Sequence, residues 1–565
     1  MSARRRAPTL LLLLQVASCG GESSASAVAQ ETSAASSALA LTDLPAFAPV
    51  QGTPRQAELP RGAVDTRLVA PTGRVIAVGN GDNLQRAIDR ARPGDVIEIE
   101  ARTTHRGNFV LKRKEGAGWI TIRSSAASSL PAGTRVTPAQ ARLMPRLVSP
   151  NDRPALSTEP GAHHYRLIGI EATVASSQKF NYGLVELGRG NERRVEELPH
   201  HLVLDRVYLH GHSTLHLKRC LALNSAWSAI IDSYLSECHG KGQDTQAILG
   251  WNGPGPFRIE NNHLEGAGEN VMFGGADPAI RGLVPSDITI RRNHFFKPPS
   301  WKGVWTVKNL FELKNAQRVL AEGNILENNW GDAQDGFAVV WKSVNQDGRC
   351  TWCVVQDVTF RYNKLRNSAN GINLAARPQG AVAGPLRRIV IQHNIIDNIN
   401  VGPIYRGTGR LVQFLSDVTD CRIENNTMLL NGGNQFILFA SEPPTSRLIV
   451  RRNIASRGQY GVFGNAKGEG SSALRTYAPD VVFRDNVLIG GSGGDYPANN
   501  LFVRELGEVG FTNPLDGDYR LVPRSPLRSH GRDRVLLGAN AAAVDSATRN
   551  VRSSRSIGST ADRLP

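Results

Sequence analysis

The segments FRIENNHL at 257–264 and ITIRRNHF at 288–295 share one pattern: apolar and polar residues alternate, and an asparagine occupies a fixed place. This pattern recurs along much of the 565-residue chain. Its asparagines are Asn262, Asn293, Asn324, Asn363, Asn394, Asn426, Asn453 and Asn486, with spacings of 31, 31, 39, 31, 32, 27 and 33 residues. Two earlier segments, LVLDRVYL from 202 and AIIDSYLS from 229, have the same alternation without the asparagine.

The alternation predicts short strands that each bury one face. A repeat of roughly 30 residues is too small to form its own core, so successive repeats must stack. Asparagine tolerates the left-handed and bridge conformations of tight turns, which explains its fixed place. Stacked asparagine side chains are also able to form hydrogen bonds along the stack.

Two further segments strengthen this interpretation. GDNLQRAIDRARPGDVIEIE at 81–100 is similar to the capping helix and first turn of the pectate-lyase-like superfamily, and FTNPLDGDYRLVPRSPL at 511–527 is similar to its last segment. The repeat as a whole resembles the fold of that superfamily. The resemblance implies an all-β chain whose residues 71–540 form a single-stranded, right-handed parallel β-helix with an N-terminal capping helix.

The two ends of the chain differ from the repeat. Arg4, Arg5 and Arg6 precede the apolar run Leu10–Leu14, and VASC at 16–19 resembles a bacterial lipobox. The interpretation is a signal peptide at 1–19 with lipidation of Cys19, and Gly20 after the cysteine favours the outer membrane. The alternative is cleavage after Ala29, which gives a soluble periplasmic or secreted protein. Residues 20–70 are predicted to be a Ser/Ala/Pro-rich tether and residues 541–565 a disordered tail.

The formal net charge of +16 favours an acidic partner: nucleic acid, anionic lipid or an acidic polysaccharide. Export makes nucleic acid an unsuitable partner and favours the polysaccharide, with membrane contact through the lipid anchor. The absence of any apolar run of 18 residues excludes a multispan membrane protein. We expect a monomer.

Cysteines and histidines give weaker signals. Cys350 and Cys353 have no second cysteine pair for zinc, so an exported chain favours a local disulfide there. Cys220, Cys238 and Cys421 lie in apolar runs and are expected to be buried small residues. The pairs His163-His164 and His200-His201 have no Asp or Cys at metal spacing and are interpreted as turn residues.

The strands after the asparagine turns carry the candidate chemistry. In LFELK at 310–314, inward Phe311 and Leu313 leave Glu312 and Lys314 on the outer face. The same alternation places Lys342, Asn373 and Arg377 outward on the next two coils. A column of Lys314, Lys342 and Arg377 would repel itself, so it favours an anionic ligand. The alternative is a solvated face of a basic protein.

Carboxylates and tryptophans lie in the same third of the chain. Glu269, Asp277 and Glu312 offer oxygen ligands that suit Ca²⁺, although roles in turns and caps are an alternative for Glu269 and Asp277. Trp301, Trp305 and Trp341 offer faces for sugar rings, or else fill the core. Lys308 and Asn373 complete the predicted substrate-binding set.

Gly268-Glu269 and the run from Lys314 to Asn324, KNAQRVLAEGN, resemble two elements of the chondroitinase B and alginate lyase family. That family's Asn-Lys-Ser is missing near Gly275–Asp277, where Lys302 or Lys308 could substitute. The resemblance implies β-elimination on a uronic-acid polysaccharide, with Lys314 as base or charge neutraliser, Lys342 and Arg377 as helpers, and Ca²⁺ as a possible cofactor. Gly211-His212-Ser213 is all that matches the polygalacturonase motifs. A non-catalytic glycan-binding or structural lipoprotein, or a hydrolase or epimerase on the same scaffold, remains an alternative.

Overall fold

The computed structural model describes residues 54–376, 382–440, 443–529 and 536–553, and these form a right-handed parallel β-helix. Each full coil adds one strand to each of three parallel sheets. The predicted all-β fold is confirmed, and so is the capping helix that the resemblance of residues 81–100 implies. The signal peptide, Cys19 and the first part of the predicted tether lie outside the described residues.

The three long sheets are named A, B and C in the order in which the chain enters them. The strands of sheet A are Val75–Val78, Val96–Ile99, Ile120–Ser124, His163–Ile168, His200–Asp205, Ala226–Ile231, Gly255–Glu260, Ser286–Arg291, Ala316–Glu322, Val355–Arg361, Leu386–Gln392, Thr419–Glu424, Ser446–Arg451 and Val482–Arg484. The strands of sheet B are Thr104–Arg106, Arg146–Ser149, Glu171–Val174, Tyr208–His210, Tyr234–Cys238, His263–Gly266, His294–Phe296, Ile325–Asn329, Lys364–Ser368, Ile395–Ile399, Thr427–Leu430, Ile454–Ser456, Val487–Ile489 and Leu501–Val503. The strands of sheet C are Phe109–Leu111, Leu156–Thr158, Val185–Leu187, Arg219–Leu223, Gln246–Gly250, Glu269–Phe273, Asn309–Leu313, Phe337–Lys342, Asn370–Ala375, Arg410–Leu415, Gln435–Phe439 and Gly461–Gly464.

Smaller elements lie at the ends and in the loops. Phe180–Asn181 pairs with His216–Leu217, and Phe511–Asn513 pairs with Asp518–Leu521. The α-helices are α1 (Leu84–Arg90), α2 (Ser471–Tyr477) and α3 (Ala541–Ala547). The 3₁₀ turns are Ala127–Ser129, Pro138–Leu143, Val195–Glu197, Pro299–Trp301, Gly493–Asp495, Leu506–Val509, Pro514–Asp516 and Pro526–Ser529. No helix among the described residues is long and apolar enough to cross a membrane.

Helix α1 closes the first coil. The Asn83 side chain accepts a hydrogen bond from the Arg86 amide and so satisfies one of the free N–H groups at the helix start. Leu84, Ala87 and Ile88 are buried in the continuous apolar core that runs through the stack. The helix therefore covers apolar residues that would otherwise meet water at the end of the solenoid.

The repeated asparagines form a buried ladder at the corner between sheets A and B. In a typical step, Asn363 Nδ2 donates to Asn394 Oδ1 at 3.0 Å and to the Ala321 carbonyl at 3.0 Å. Its own Oδ1 accepts from the Asn324 amide and from Asn324 Nδ2, both at 2.9 Å. The predicted hydrogen bonding along the stack is confirmed, and Asn500 extends it by one step beyond Asn486.

An extended segment, residues 54–67, crosses successive strands of sheet A near their first residues and is called here the N-terminal strap. Its amides donate to aspartates on coils far apart in sequence: Arg55 to Asp420 at 2.9 Å, and Arg61 to Asp287 at 2.8 Å. The strap therefore runs back along the stack before the chain enters its first strand. This part of the predicted tether is bound to the solenoid.

Residues 536–553, called here the C-terminal strap, pass along the opposite ends of the sheet A strands, where these strands lead into sheet B. The Gly538 amide donates to the Arg452 carbonyl at 2.8 Å, and Lys364 pairs with Asp545 at 2.7 Å. Helix α3 lies within this strap and buries Val544. The prediction of a disordered tail from residue 541 is therefore wrong for 541–553, because these residues cover apolar surface and satisfy backbone groups.

Two disulfides cross-link the described residues. Cys350–Cys353 is the predicted local bridge. Cys220 and Cys238 are buried as expected, and they also form a disulfide, which joins sheet C of one coil to sheet B of the next. Cys421 is a free, buried cysteine, as expected.

Candidate active site

The candidate site lies on the outer face of sheet C. In the strand Asn309–Leu313, Phe311 and Leu313 face the core, which leaves Glu312 on the outer face. Leu313 lies beside Trp341 in the next coil, so the residues that follow them, Lys314 and Lys342, are neighbours in one column. The sequence prediction brought these two lysines together correctly.

Both lysines surround one buried carboxylate. The Nζ atoms of Lys342 and Lys314 lie 3.5 and 3.7 Å from Glu312 Oε1. The Glu312 side chain is 0% exposed, whereas the Lys342 side chain is 23% and the Lys314 side chain 8% exposed. Lys342 is therefore the member of this group that a ligand from solvent reaches most easily.

A second carboxyl group, Glu269, lies on the preceding coil. Lys308 Nζ is 3.3 Å from Glu269 and 2.9 Å from Asp244, and Gln246 Nε2 donates to Glu269 at 2.8 Å. The strand Glu269–Phe273 pairs with the strand Asn309–Leu313, in which Met272 is the partner of Glu312.

Lys308, Lys314 and Lys342 with Glu269 and Glu312 thus form a group of opposite charges that spans three coils, called here the lysine cluster.

Sequence reasoning missed Lys297, which is completely buried next to this cluster. Its Nζ donates to the Ala267 carbonyl at 2.8 Å and to the Gly268 carbonyl at 3.0 Å. It thus holds the turn that leads into the strand beginning at Glu269. The signal in the sequence was a lone lysine directly after Phe295 and Phe296, because a charge buried beside apolar residues needs partners such as backbone carbonyls.

The charged groups of the lysine cluster shift one another's pKa. Burial opposes ionisation of Glu312, but the charges of Lys314, Lys342 and Lys308 outweigh it and lower its pKa. Burial raises the pKa of Glu269, and the charge of Lys308 only partly opposes this. Burial also lowers the pKa of Lys342, against the attraction of Glu312. Despite burial, Glu269, Glu312 and Asp244 raise the pKa of Lys308.

These opposite pKa shifts distinguish Lys308 from Lys342. Lys308 stays a cation at every ordinary pH, because three acidic groups stabilise its charge. Lys342 loses its proton more easily than a free lysine does, and it is the more exposed of the two. A fixed cation beside a lysine of lowered pKa is an arrangement that serves both anion binding and proton abstraction.

The carboxylates of the cluster do not suit Ca²⁺. Calcium takes six to eight oxygen ligands and favours several free carboxylates. Here ammonium groups lie within 3.7 Å of both Glu269 and Glu312, and three lysines surround two carboxyl groups. The third predicted ligand, Asp277, accepts hydrogen bonds from the amides of Gln346 at 2.7 Å and Arg349 at 2.9 Å. Asp277 therefore holds the loop that carries the Cys350–Cys353 disulfide, which is the turn role considered as its alternative.

The predicted third cation of the column, Arg377, lies outside the described residues. In the strand that precedes it, Ala375 is the partner of Lys342. Asn373 pairs with Val340 and accepts a hydrogen bond from Gln413 at 3.3 Å. Asn373 thus lies on the same outer face as Glu312, one coil beyond Lys342.

The three predicted sugar-binding tryptophans have different surroundings. Trp341 is 0% exposed and packs between Phe311 and Phe360 in the core, so its predicted substrate contact is wrong in this structure. Successive side chains of a strand point to opposite faces, so Trp341 points inward and the next residue, Lys342, points outward. Trp301 is buried in a small cluster beside sheet C, and Trp305 is half-buried with its ring 4.0 Å from that of His239.

Trp305 belongs to a loop that borders the lysine cluster at the corner between sheets B and C. Residue Lys308 at the end of this loop reaches the cluster directly. At the opposite corner, the loop held by Asp277 follows Lys342. Lys308 and Lys342 therefore adjoin loops at the two ends of the sheet C strands. A cleft at the N-terminal cap is lined by other residues, among them Arg74, Arg90 and Lys114.

The chain matches no protein-family model and no curated protein. Among solved structures, a mutant of the PL6 family alginate lyase AlyGC is similar, with a TM-score of 0.43 and 14% identity over 82% of this chain. The match covers 58% of that lyase, so this chain corresponds to little more than half of its length.

Two other similar structures have different activities in their names. A mannuronic acid specific polysaccharide family 6 lyase from human gut microbiota has a TM-score of 0.40 and 12% identity, covering 76% of this chain and 83% of that one. The catalytic unit of a GH87 α-1,3-glucanase from Streptomyces thermodiastaticus has a TM-score of 0.40 and 10% identity, covering 78% of this chain and 71% of that one. At these identities the likeness concerns the parallel β-helix fold alone.

Proposed function

We propose that this protein is a polysaccharide lyase that cleaves a uronic-acid polymer by β-elimination at the lysine cluster. The observation that carries the proposal is the partly exposed Lys342, whose pKa is lowered by burial, in one cluster with the cations Lys308 and Lys314. These are the two requirements of the reaction: charge that neutralises a uronate carboxylate, and a base for the adjacent carbon-bound proton.

In the proposed reaction, the uronate carboxylate binds at the ammonium groups of Lys308 and Lys314. Neutralising this carboxylate makes the proton on the adjacent ring carbon more acidic. The neutral Lys342 amine takes that proton, the electron pair forms the ring double bond, and the glycosidic carbon–oxygen bond breaks. The leaving oxygen receives a proton from the Lys342 ammonium or from water, so charge and atoms balance.

The proposal assigns charge neutralisation to lysines and not to Ca²⁺, since the ammonium groups occupy the surroundings of both carboxylates. Elimination is therefore expected to persist in a chelator. This differs from what the family resemblance implies for the same positions. Arg377 stays a predicted helper whose placement is outside the described residues.

The test is absorbance at about 235 nm, where the unsaturated uronate product absorbs. Purified protein is incubated with alginate, pectate, chondroitin, dermatan, heparan and gellan-type polymers, with Ca²⁺ or with chelator. Lys342→Met should abolish any rise, whereas Lys112→Met should not. Lys112 is a matched control because it also directly follows a sheet C strand but pairs with Glu159 at 3.9 Å, away from the cluster.

A non-catalytic glycan-binding protein is the second candidate. It is favoured by the ion pairs themselves, because each lysine of the cluster already lies within 3.7 Å of a carboxyl group. A flat absorbance trace together with polymer binding that is lost in Lys342→Met would support binding over lysis. The hydrolase alternative gains nothing from Glu269 and Glu312, since both side chains are 0% exposed and cannot flank a glycosidic bond.

We further propose that the protein is exported and anchored by lipid at Cys19. The Cys220–Cys238 and Cys350–Cys353 disulfides support an oxidising compartment. Mass spectrometry of the mature N-terminus would distinguish a lipidated Cys19 from cleavage after Ala29. An N-terminus that retains Arg4–Arg6 would contradict export.

A further inference from the structure

Two pairs of adjacent histidines begin successive strands of sheet A, remote in sequence from the lysine cluster. His163 and His200 are partners in the parallel register of the strands His163–Ile168 and His200–Asp205. The residues after them, His164 and His201, have φ angles of 56° and 55°. This left-handed conformation interrupts the normal alternation of side chains, and because it occurs at the same place in both strands their register is kept. The pairs therefore lie at the beginnings of two neighbouring strands inside sheet A and not in turns, which corrects the interpretation from sequence.

The left-handed residue brings the imidazoles of each pair together. In a regular strand, consecutive side chains point to opposite faces. Here the Nδ1 atoms of His163 and His164 are 2.8 Å apart, and those of His200 and His201 are 2.7 Å apart. Between the coils, the ring of His163 stacks on that of His200 at 4.9 Å, and the ring of His164 stacks on that of His201 at 4.5 Å. Four imidazoles thus form a compact two-by-two group.

We propose that this group is a binding site for a divalent transition metal ion of the Zn²⁺, Cu²⁺ or Ni²⁺ class, with His164, His200 and His201 as ligands. One ligand nitrogen from each of these three residues lies within 4.8 Å of the others. A metal ion would replace the proton that two facing ring nitrogens must otherwise share. His163 lies against His164 and His200 and completes the group as a fourth ligand or as a stacking partner.

The chemistry of the donors selects the metal class. Imidazole nitrogen suits zinc, copper and nickel, whereas calcium and magnesium prefer oxygen. The group that the described residues form here is made of imidazoles alone. All four rings are half-buried, which leaves a path from solvent.

Two tryptophans report on this site. The Trp119 ring meets the ring of His164 edge-on at 5.2 Å, and the Trp227 ring stacks on that of His201 at 5.7 Å. Because Cu²⁺ quenches indole fluorescence only at short range, a bound ion here should be visible as quenching of these two side chains. A bound ion would also link two coils directly, so it should raise the melting temperature.

The experiment titrates the full chain with Zn²⁺ by calorimetry and with Cu²⁺ by fluorescence. One equivalent is expected to bind. The double variant His164→Gln/His201→Gln should weaken binding by more than about 100-fold, since removing direct ligands costs more than removing outer partners. The control His216→Gln/His393→Gln, which alters two histidines outside the group, should bind like the unmodified protein. Equal affinity in the double variant and the control, or no binding to the unmodified protein, would overturn the proposal.

A second measurement does not depend on the variants folding. The Co²⁺-loaded unmodified protein should show visible bands of nitrogen coordination that disappear when excess Zn²⁺ is added. A spectrum identical to aqueous Co²⁺ would show that the histidines hold no metal.

Discussion

The asparagine ladder and the lysine cluster lie on the same coils and are built in opposite ways. The ladder repeats one residue type and one set of hydrogen bonds in every coil from Asn262 to Asn486. The cluster uses different residues in each coil and depends on loops that occur once. Periodic contacts specify the stack, whereas the departures from periodicity create a place where chemistry is possible.

Lys342→Met gives the largest expected effect and tests the aperiodic side of this comparison. Loss of a general base should lower elimination by about 10²–10⁴-fold without changing the melting temperature by much, because this side chain is the most exposed of the cluster. The rate is measured by absorbance of the unsaturated product, beside Lys112→Met. Retention of full activity would remove Lys342 from the mechanism.

Glu312→Gln should lower the free energy of unfolding by about 3–5 kcal/mol, since it leaves buried lysine charge without its partner. The cost should depend on pH. The pKa of Glu312 is lowered in the folded protein, so its stabilising charge is present above the ordinary value of 4.5 and is lost as the pH falls below it.

The difference in unfolding free energy between Glu312→Gln and the unmodified protein should therefore shrink as the pH is lowered from 6 toward 3. Urea unfolding at several pH values measures this. A difference that stays constant over that range would mean that the carboxylate charge is not what stabilises the cluster. Lys342→Met at the same pH values separates loss of one lysine from loss of the shared anion.

Asn363→Ala tests the periodic side and should cost about 2–4 kcal/mol of unfolding free energy. The substitution leaves the Asn324 amide and the Ala321 carbonyl, both buried, without a partner. Asn500→Ala, at the part-buried end of the ladder, should cost less, because it affects one step only. Equal costs at the two positions would show that the ladder is not cooperative along the stack.

Glu58→Pro has the smallest expected effect, about 1 kcal/mol. It removes the amide that donates to Asp357 Oδ1 at 3.1 Å and so weakens the N-terminal strap. Glu58→Ala keeps that amide and is the control for loss of the side chain, which pairs with Arg61 in solvent. Limited proteolysis of the strap should be faster in the proline variant alone.

The fold followed from the sequence because each coil repeats a local pattern. Alternation and a fixed asparagine predict strand, turn and stack together, and the neighbouring Cys350 and Cys353 are close enough in sequence to predict their bridge. Cys220–Cys238 could not be predicted in this way. Cys220 lies in sheet C of one coil and Cys238 in sheet B of the next, so the two approach each other only when the coils stack.

The site was predicted in part. Alternation correctly placed Glu312, Lys314 and Lys342 on one face, but the choice of Lys314 as leading base rested on resemblance. Exposure and charge favour Lys342 instead. The prediction that Trp341 contacts substrate was wrong. Alternation along its strand already assigns Trp341 to the core, because the next residue, Lys342, points outward. Alternation does not encode the backbone carbonyls that bind Lys297, nor the left-handed conformation of His164 and His201.

The two straps change how such a stack should come apart. A bare solenoid behaves as a one-dimensional chain, in which each coil interacts with its immediate neighbours and the ends fray first. The N-terminal strap bonds to Asp420, Asp357 and Asp287, and the C-terminal strap spans from Arg452 to Arg135. Coils separated by more than a hundred residues therefore share the same strap, and loosening one end releases contacts on the other. Unfolding should occur as a single transition over most of the molecule and not as stepwise fraying.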